Sequence, residues 1–220
     1  IGSTHVNDER GRNRIRRLRF GIRGLMHIIE QLQSDQMAAN GQQDPNANVC
    51  FFSTVDATGS PQVRTLVLRQ IAETTITLFI NTSSPKWQQL VKQPRCQALL
   101  WYPSLQIQYR LSGIAEALAS DAIQDNWQKR PLRAKLLDYF YDRTAPQSSP
   151  MTSRAGLLEQ FEALSQRVAP EDLKPSSAAI GLSVQLDQIE RLDLSQNDLP
   201  HERTLFERSE NGWIATALVP

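Results

Sequence analysis

The fold of this chain is decided by the stretch Pro61-Gln62-Val63-Arg64-Thr65-Leu66-Val67-Leu68-Arg69. Its β-branched and aliphatic residues follow a turn at 56–60 and predict a strand. A period of two gives this strand two faces, one made by Arg64, Leu66 and Leu68 and the other by Thr65, Val67 and Arg69. Guanidinium groups bind phosphate through paired hydrogen bonds, which suggests a phosphorylated ligand. The plainer interpretation, favoured on this stretch alone, is that both arginines are solvated strand ends.

The elements on either side of this strand predict an α+β barrel and argue against a parallel βαβ fold. Further strands are predicted near 48–55, 74–81, 96–103, 105–118, 179–194, 204–208 and 213–217. Helices are predicted over 13–37, from 84 to about 91, over 120–143 with a break at Pro131, and over 153–167. We divide the chain into a basic arm and helix at 1–40 and a barrel domain at 41–220.

The charge of the chain is unevenly distributed. The net charge is +1, and residues 10–23 hold seven arginines and no acidic residue, so the remaining chain carries −6. Such an arm can bind nucleic acid or anionic lipid, or it can be a solvated helix face or an arm lying on a partner subunit. We favour the structural interpretation, because the rest of the chain is acidic and has no recognisable nucleic-acid motif.

Composition and cysteine placement indicate a cytoplasmic protein. No apolar run approaches the roughly 18 residues that a membrane span needs, and no secretory signal is visible. Cys50 and Cys96 lie in apolar runs without CxxC spacing and are predicted to be buried thiols in a reducing compartment. His5, His27 and His201 are too scattered to suggest a metal site.

A second candidate anion site lies at Ser84-Pro85-Lys86. Ser84 is a suitable N-cap and Pro85 a suitable first helical residue, so free amide groups and the positive end of the helix dipole would meet the charge of Lys86. A solvent-exposed helix lysine is the commoner case. The chain contains no GxGxxG, Walker, HExxH or GxSxG motif.

The order of these motifs resembles the pyridoxamine 5′-phosphate oxidase family, flavoproteins built on the FMN-binding split β-barrel. The resemblance extends from about Asp44 to Pro220. The residues that carry it are 53–56 with 59–61 and 64–69, Phe79-Ile80-Asn81 before Ser84-Pro85-Lys86, Gln108 with Gly113, Gln147-Ser148-Ser149 with Arg154, and the tail 187–190, 201–203, Trp213 and Pro220.

This resemblance implies an FMN site shared between the two subunits of a homodimer. Arg64 and Lys86 would bind the FMN phosphate, and Gln108 would hydrogen-bond the flavin. Gln147, Ser148 and Arg203 would reach FMN across the dimer interface. The other residues implied in cofactor binding are Thr65, Leu66, Val67, Leu68, Arg69, Ile80, Asn81 and Ser84.

The substrate side departs from the family pattern. Where the family holds the substrate phosphate with Tyr, Arg and Ser, this chain has Asn126, Arg130 and Ala134. Arg69 replaces a lysine, Leu192 replaces the tryptophan beside the flavin, and residues 199–201, Leu-Pro-His, replace Arg-Leu-His. Each lost charged hydrogen bond costs about 1–3 kcal/mol, so we expect FMN binding to persist and pyridoxamine phosphate oxidation to be weak. Arg130, Arg69 and His201 are the predicted substrate-side residues.

The implied function is an FMN-dependent oxidase of a small amine or alcohol, phosphorylated or not, with oxygen as acceptor and a place in vitamin B6 metabolism. One alternative is a split barrel that holds FMN or haem as a store or sensor without oxidase turnover. Another is a nucleic-acid binder that uses the basic arm, which the acidic body makes the weakest of the three.

Overall fold

The computed structural model describes residues 27–196 and 200–220, which form a nine-stranded antiparallel sheet with five α-helices. The strands are β1 Val49–Val55, β2 Pro61–Val67, β3 Gln70–Ile71, β4 Thr75–Asn81, β5 Arg95–Tyr102, β6 Ile107–Ala117, β7 Ala179–Asp193, β8 Glu202–Ser209 and β9 Gly212–Leu218. The helices are α1 His27–Gly41, α2 Pro85–Lys92, α3 Ser120–Lys129, α4 Leu132–Arg143 and α5 Arg154–Arg167.

The sheet is curled, with strand order β2-β1-β5-β6-β7-β4-β3 and with β8 and β9 continuing from β7. Leu68 donates its amide to Asn48 O at 3.0 Å, on the β1 side, and Arg69 donates its amide to Thr77 O of β4 at 3.0 Å. Two adjacent residues therefore hydrogen-bond to strands near opposite ends of the sheet, β1 and β4. This pairing brings the end of β2 close to β4. This is the split-barrel architecture, and the predicted α+β class is confirmed.

Alternating residues of β1, β4 and β5 build the core, as the period of a half-buried strand requires. Phe52, Ile76, Leu78 and Leu100 are fully buried, and each such side chain contributes about 1.5–3 kcal/mol through removal from water. Cys50 and Cys96 lie in the same core, where burial raises the pKa of both thiols to about 12.

Helix α1 is anchored on this sheet by apolar and polar contacts. Ile28 and Leu32 are buried in the core. Tyr109 of β6 donates to Asp35 Oδ2 at 2.5 Å, and Arg191 Nε of β7 donates to the Tyr109 hydroxyl at 3.1 Å. Of the helices in the described residues, none is long and apolar enough to cross a membrane.

Two boundaries differ from the sequence prediction. The strand predicted at 61–70 ends at Val67, because the chain changes its partner strand at Leu68 and Arg69. The first described helix continues to Gly41, where a loop from Ala38 was predicted. Residues 13–26 of that predicted helix and the arginines at 10–23 lie outside the described residues. The break between α3 and α4 at Pro131 is confirmed, and the domain division after residue 40 stays a prediction.

Candidate functional site

Two cations from different elements lie close together beside the sheet. Arg64 of β2 donates from Nη1 to Thr54 Oγ1 at 2.6 Å and to Phe52 O at 3.3 Å. Lys86, in the first turn of α2, is only 9% exposed. Burial and the neighbouring charge of Arg64 lower the pKa of Lys86 to about 8. Within the described chain neither cation has a carboxylate partner, so an anion bound here would relieve both the burial cost and the mutual repulsion.

The start of α2 is held by an Asn81-centred turn. Asn81 Oδ1 accepts hydrogen bonds from the Ser83 amide at 2.9 Å and from the Ser83 hydroxyl at 2.6 Å. Ser84 occupies the N-cap position and Pro85 the first helical position, as predicted. The Ser84 hydroxyl donates to Asn81 O at 2.6 Å and so stabilises the turn. The hydroxyl does not cap the helix, so the start of the helix is available to another acceptor.

The loop after α4 lies directly against this turn. The backbone amide of Gln147 donates to Ser83 Oγ at 3.1 Å. The side-chain Oε1 of Gln147 accepts a hydrogen bond from Lys86 Nζ at 3.1 Å. Ser148 adopts a φ of 71°, within a turn closed by the Ser149 amide and Pro146 O at 3.1 Å. The resemblance implied that Gln147 reaches the cofactor across a subunit interface, yet a single chain already brings it to Lys86.

A cavity of about 150 Å³ connects these residues to the predicted substrate side. Its lining residues are Leu66, Phe79, Ile80, Asn81, Lys86, Arg130, Ala134, Leu137, Asp138, Tyr141 and Gln147. Five predicted cofactor residues and the predicted substrate residue Arg130 thus meet at one cavity. Its apolar side, formed by Leu66, Phe79 and Ile80, is suited to a flat ring.

Arg130 is fixed by two neighbours. Its Nη2 lies 2.9 Å from Asp138 Oδ2, and its guanidinium carbon lies 5.8 Å from the centroid of the Trp127 ring. Asp138 is 4% exposed, and burial raises the pKa of its carboxyl, partly offset by the charge of Arg130. Arg130 also borders a smaller cavity together with Arg69 and Asn126. Partial burial and the charge of Arg130 lower the pKa of Arg69.

Asp138 and Tyr141 were missed by the sequence analysis. The available signal was helical spacing, because Ala134, Leu137, Asp138 and Tyr141 occupy positions i, i+3, i+4 and i+7 on one face of α4. The family resemblance aligns Ala134 with a substrate-binding position. Following the same face along the helix would have identified an acid and a phenol beside it.

A second group of predicted residues lies on the far strands. Register places Gln108 of β6 opposite Leu192 of β7, and Leu192 opposite Arg203 of β8, so the three lie side by side on one sheet face. Arg203 Nε donates to Glu190 Oε1 at 3.0 Å. We call Gln108, Leu192 and Arg203 the strand patch. None of the three is among the residues that line the cavity described above.

The remaining predicted residues occupy less informative positions. Thr65 and Val67 face away from Arg64 and Leu66 on β2 and are exposed, whereas Leu68 is buried beyond the strand end. His201 is exposed just before β8. Leu199, which the resemblance placed at the substrate side, lies outside the described residues.

Comparison with known proteins gives a consistent result. A family model described as "Pyridoxamine 5′-phosphate oxidase" matches residues 36–167. A pyridoxine/pyridoxamine 5′-phosphate oxidase of Deinococcus deserti is 30% identical over 194 residues, which cover 87% of this chain and 88% of the relative. One of Acinetobacter baumannii strain SDF is 30% identical over 171 residues, which cover 77% of this chain and 76% of the relative.

Two solved structures share the fold. PhzG from Burkholderia lata 383, in complex with tetrahydrophenazine-1-carboxylic acid, has a TM-score of 0.76 at 21% identity and covers 87% of this chain and 92% of its own. A pyridoxamine 5′-phosphate oxidase-related, FMN-binding protein from Nostoc punctiforme PCC 73102 has a TM-score of 0.70 at 21% identity and covers 86% and 96%.

Proposed function

Because the chain belongs to the pyridoxamine 5′-phosphate oxidase family, we propose that it is an FMN-dependent oxidoreductase that oxidises a small amine or alcohol with oxygen as acceptor. The observation that carries this proposal is the pair formed by the half-buried Arg64 and the buried Lys86, two cations without a carboxylate partner in the described chain. Lys86 lines the cavity, and one wall of that cavity is apolar.

The residues around this pair fit FMN. A phosphate would accept hydrogen bonds from Arg64 and Lys86, which are among the strongest that proteins make. Leu66, Phe79 and Ile80 would pack against the ring system, and Gln147 would exchange its bond with Lys86 for one to the ligand. When bound, FMN would supply the two-electron redox chemistry of the reaction. The protein contributes binding, orientation and the exclusion of water.

We further propose that the working form is a homodimer. The strand patch of Gln108, Leu192 and Arg203 is separate from the cavity within one chain, although the family resemblance assigns both to one flavin site. A second copy placing its strand patch over the cavity would complete the site, and a two-fold axis would then create two equal sites.

The first test is flavin uptake by the purified chain, monitored by absorbance and by the quenching of flavin fluorescence. We expect saturable binding of one FMN per chain. The Lys86→Met variant should bind FMN at least tenfold more weakly, because one charged hydrogen bond to phosphate is lost. Lys92→Met, an exposed lysine in the last turn of the same helix, is the matched control and should bind as the wild type does.

A colourless protein that fails to take up added FMN would refute the proposal. With flavin bound, oxygen consumption is then measured against a panel of small amines and alcohols that includes pyridoxamine 5′-phosphate. Turnover of any panel member supports the oxidase. If flavin is bound but no panel member is oxidised, the protein is a flavin-binding protein without oxidase activity.

A further inference from the structure

We propose that Asp138 makes the cavity selective for a small substrate with a single carboxylate and against phosphate monoesters, so that Asp138 is a specificity-determining residue. This inference rests on the proposed function, since it takes the cavity to be the substrate side of the flavin site. Its basis is the state of Arg130, the one residue that still matches the family's substrate-phosphate pattern.

Arg130 is already partly neutralised inside the protein. Asp138 lies 2.9 Å from it, and the side chains of the two residues are 18% and 5% exposed, so solvent screens their attraction little. The guanidinium carbon also lies 5.8 Å from the centroid of the Trp127 ring, which adds a cation–π contact to the ion pair. A ligand anion approaching Arg130 therefore also approaches a fixed carboxylate.

The charges around the Arg130 guanidinium sum to a small value. Arg130 and Asp138 line the cavity, and Arg69 lies with Arg130 on the smaller cavity. These three groups together carry a net charge of one, and the proposed function assigns Lys86 to the cofactor phosphate. A phosphate monoester carries about −1.5 to −2 at neutral pH and would leave uncompensated negative charge beside Asp138. A carboxylate carries one negative charge and balances the site.

The hydrogen-bonding groups agree with this charge count. Arg130 Nε is buried and, among the described residues, has no hydrogen-bond partner, so it can donate to one ligand oxygen. Ala134 provides no donor where the family pattern has serine. Burial raises the pKa of the Asp138 carboxyl, so its negative charge is costly to hold there, and a dianion beside it would add to that cost. The site thus has few donors and one acidic neighbour.

The test is isothermal titration calorimetry of the FMN-loaded full chain with two probes that share a ring, benzoate and phenyl phosphate. We expect the wild type to bind benzoate at least tenfold more tightly than phenyl phosphate. Asp138→Asn retains the size of the side chain and removes its charge, so phenyl phosphate should gain at least tenfold relative to benzoate. The matched control is Asp187→Asn, which breaks the exposed ion pair of Asp187 with Arg95 and should leave the ratio unchanged.

The wild-type ratio alone can overturn the inference, even if the Asp138 variant does not fold. Equal affinities, a preference for phenyl phosphate, or binding of neither probe would each do so. Flavin uptake is scored separately by absorbance, and its failure refutes the proposed function. In that event the two titrations are repeated with inorganic phosphate saturating the Arg64 and Lys86 pair, and the same ratio is expected.

Discussion

At the scale of single residues, Lys86 is the side chain whose charge responds most directly to what binds beside it. Burial and Arg64 hold its pKa at about 8, below the ordinary value of 10.5. The unfolded chain therefore binds more protons than the folded chain between these two values. Over that window the free energy of unfolding of the FMN-free protein should rise with pH, by at most about 3 kcal/mol.

The same residue predicts the pH dependence of FMN binding. Above pH 8 the FMN-free protein loses the charge of Lys86, and a bound phosphate must recover the proton, so affinity should fall by up to about tenfold per pH unit. Fluorescence titrations between pH 7 and 9.5 measure this. Lys86→Arg keeps its charge throughout and should show a flat profile. Equal wild-type affinity at both ends would contradict the assignment.

The sequence could predict the cations of the site and could not predict Asp138, the acidic partner of Arg130. Arg64, Lys86 and Gln147 belong to recognisable local motifs, and the structure places Gln147 within hydrogen-bonding distance of Lys86. Asp138 sits among ordinary helix residues of α4. Whether such a residue is buried depends on which elements pack over the helix. The residue pattern of a single helix does not predict those elements.

At the scale of elements, the junction of β6 and β7 controls the position of the strand patch. Their register shifts between Ser112 and Gly113, where Asp187 of β7 is an extra residue. A Cβ on Gly113 would lie 2.1 Å from Gln185 O, a backbone atom that cannot move without separating the strands. Gly113→Ala should lower the free energy of unfolding by about 1–3 kcal/mol, measured by urea denaturation.

Gly41 provides the control for this substitution. A Cβ there meets no atom within 4 Å, so Gly41→Ala should change stability by no more than about 0.5 kcal/mol. FMN affinity should also fall in Gly113→Ala alone, because Gln108 lies on the same strand. Equal stabilities of the two variants would show that the close approach of β6 and β7 at this bulge is relaxed in solution.

Element prediction succeeded where the signal was local and failed where a strand changes partner. The Pro131 break and the Ser84-Pro85 helix start depend on residues within one turn, and both are confirmed. The alternation of Pro61 to Arg69 continues without any turn residue, yet β2 ends at Val67. The end is imposed by the curl of the sheet, which gives Leu68 and Arg69 hydrogen-bond partners on opposite sides.

At the scale of the whole molecule, the proposed dimer predicts complementation between two damaged chains. Lys86→Met impairs the cavity side of each site, and Arg203→Met impairs the strand patch. A heterodimer of the two variants, purified through two different tags, should contain one intact site and one doubly impaired site. It should bind about half the wild-type FMN per dimer, whereas each homodimer binds little. No recovery in the heterodimer would place both groups in a site within one chain.

The two buried thiols have a consequence for following the molecule in time. Cys50 is fully buried in β1 and Cys96 is 4% exposed in β5, the neighbouring strand, and both are protonated at neutral pH. Thiol reagents attack the thiolate, so the native chain should be chemically silent toward them. Alkylation can proceed only when β1 and β5 come apart, and its rate then counts individual openings of the barrel. Thiol alkylation of the native protein therefore measures the rate at which the barrel opens.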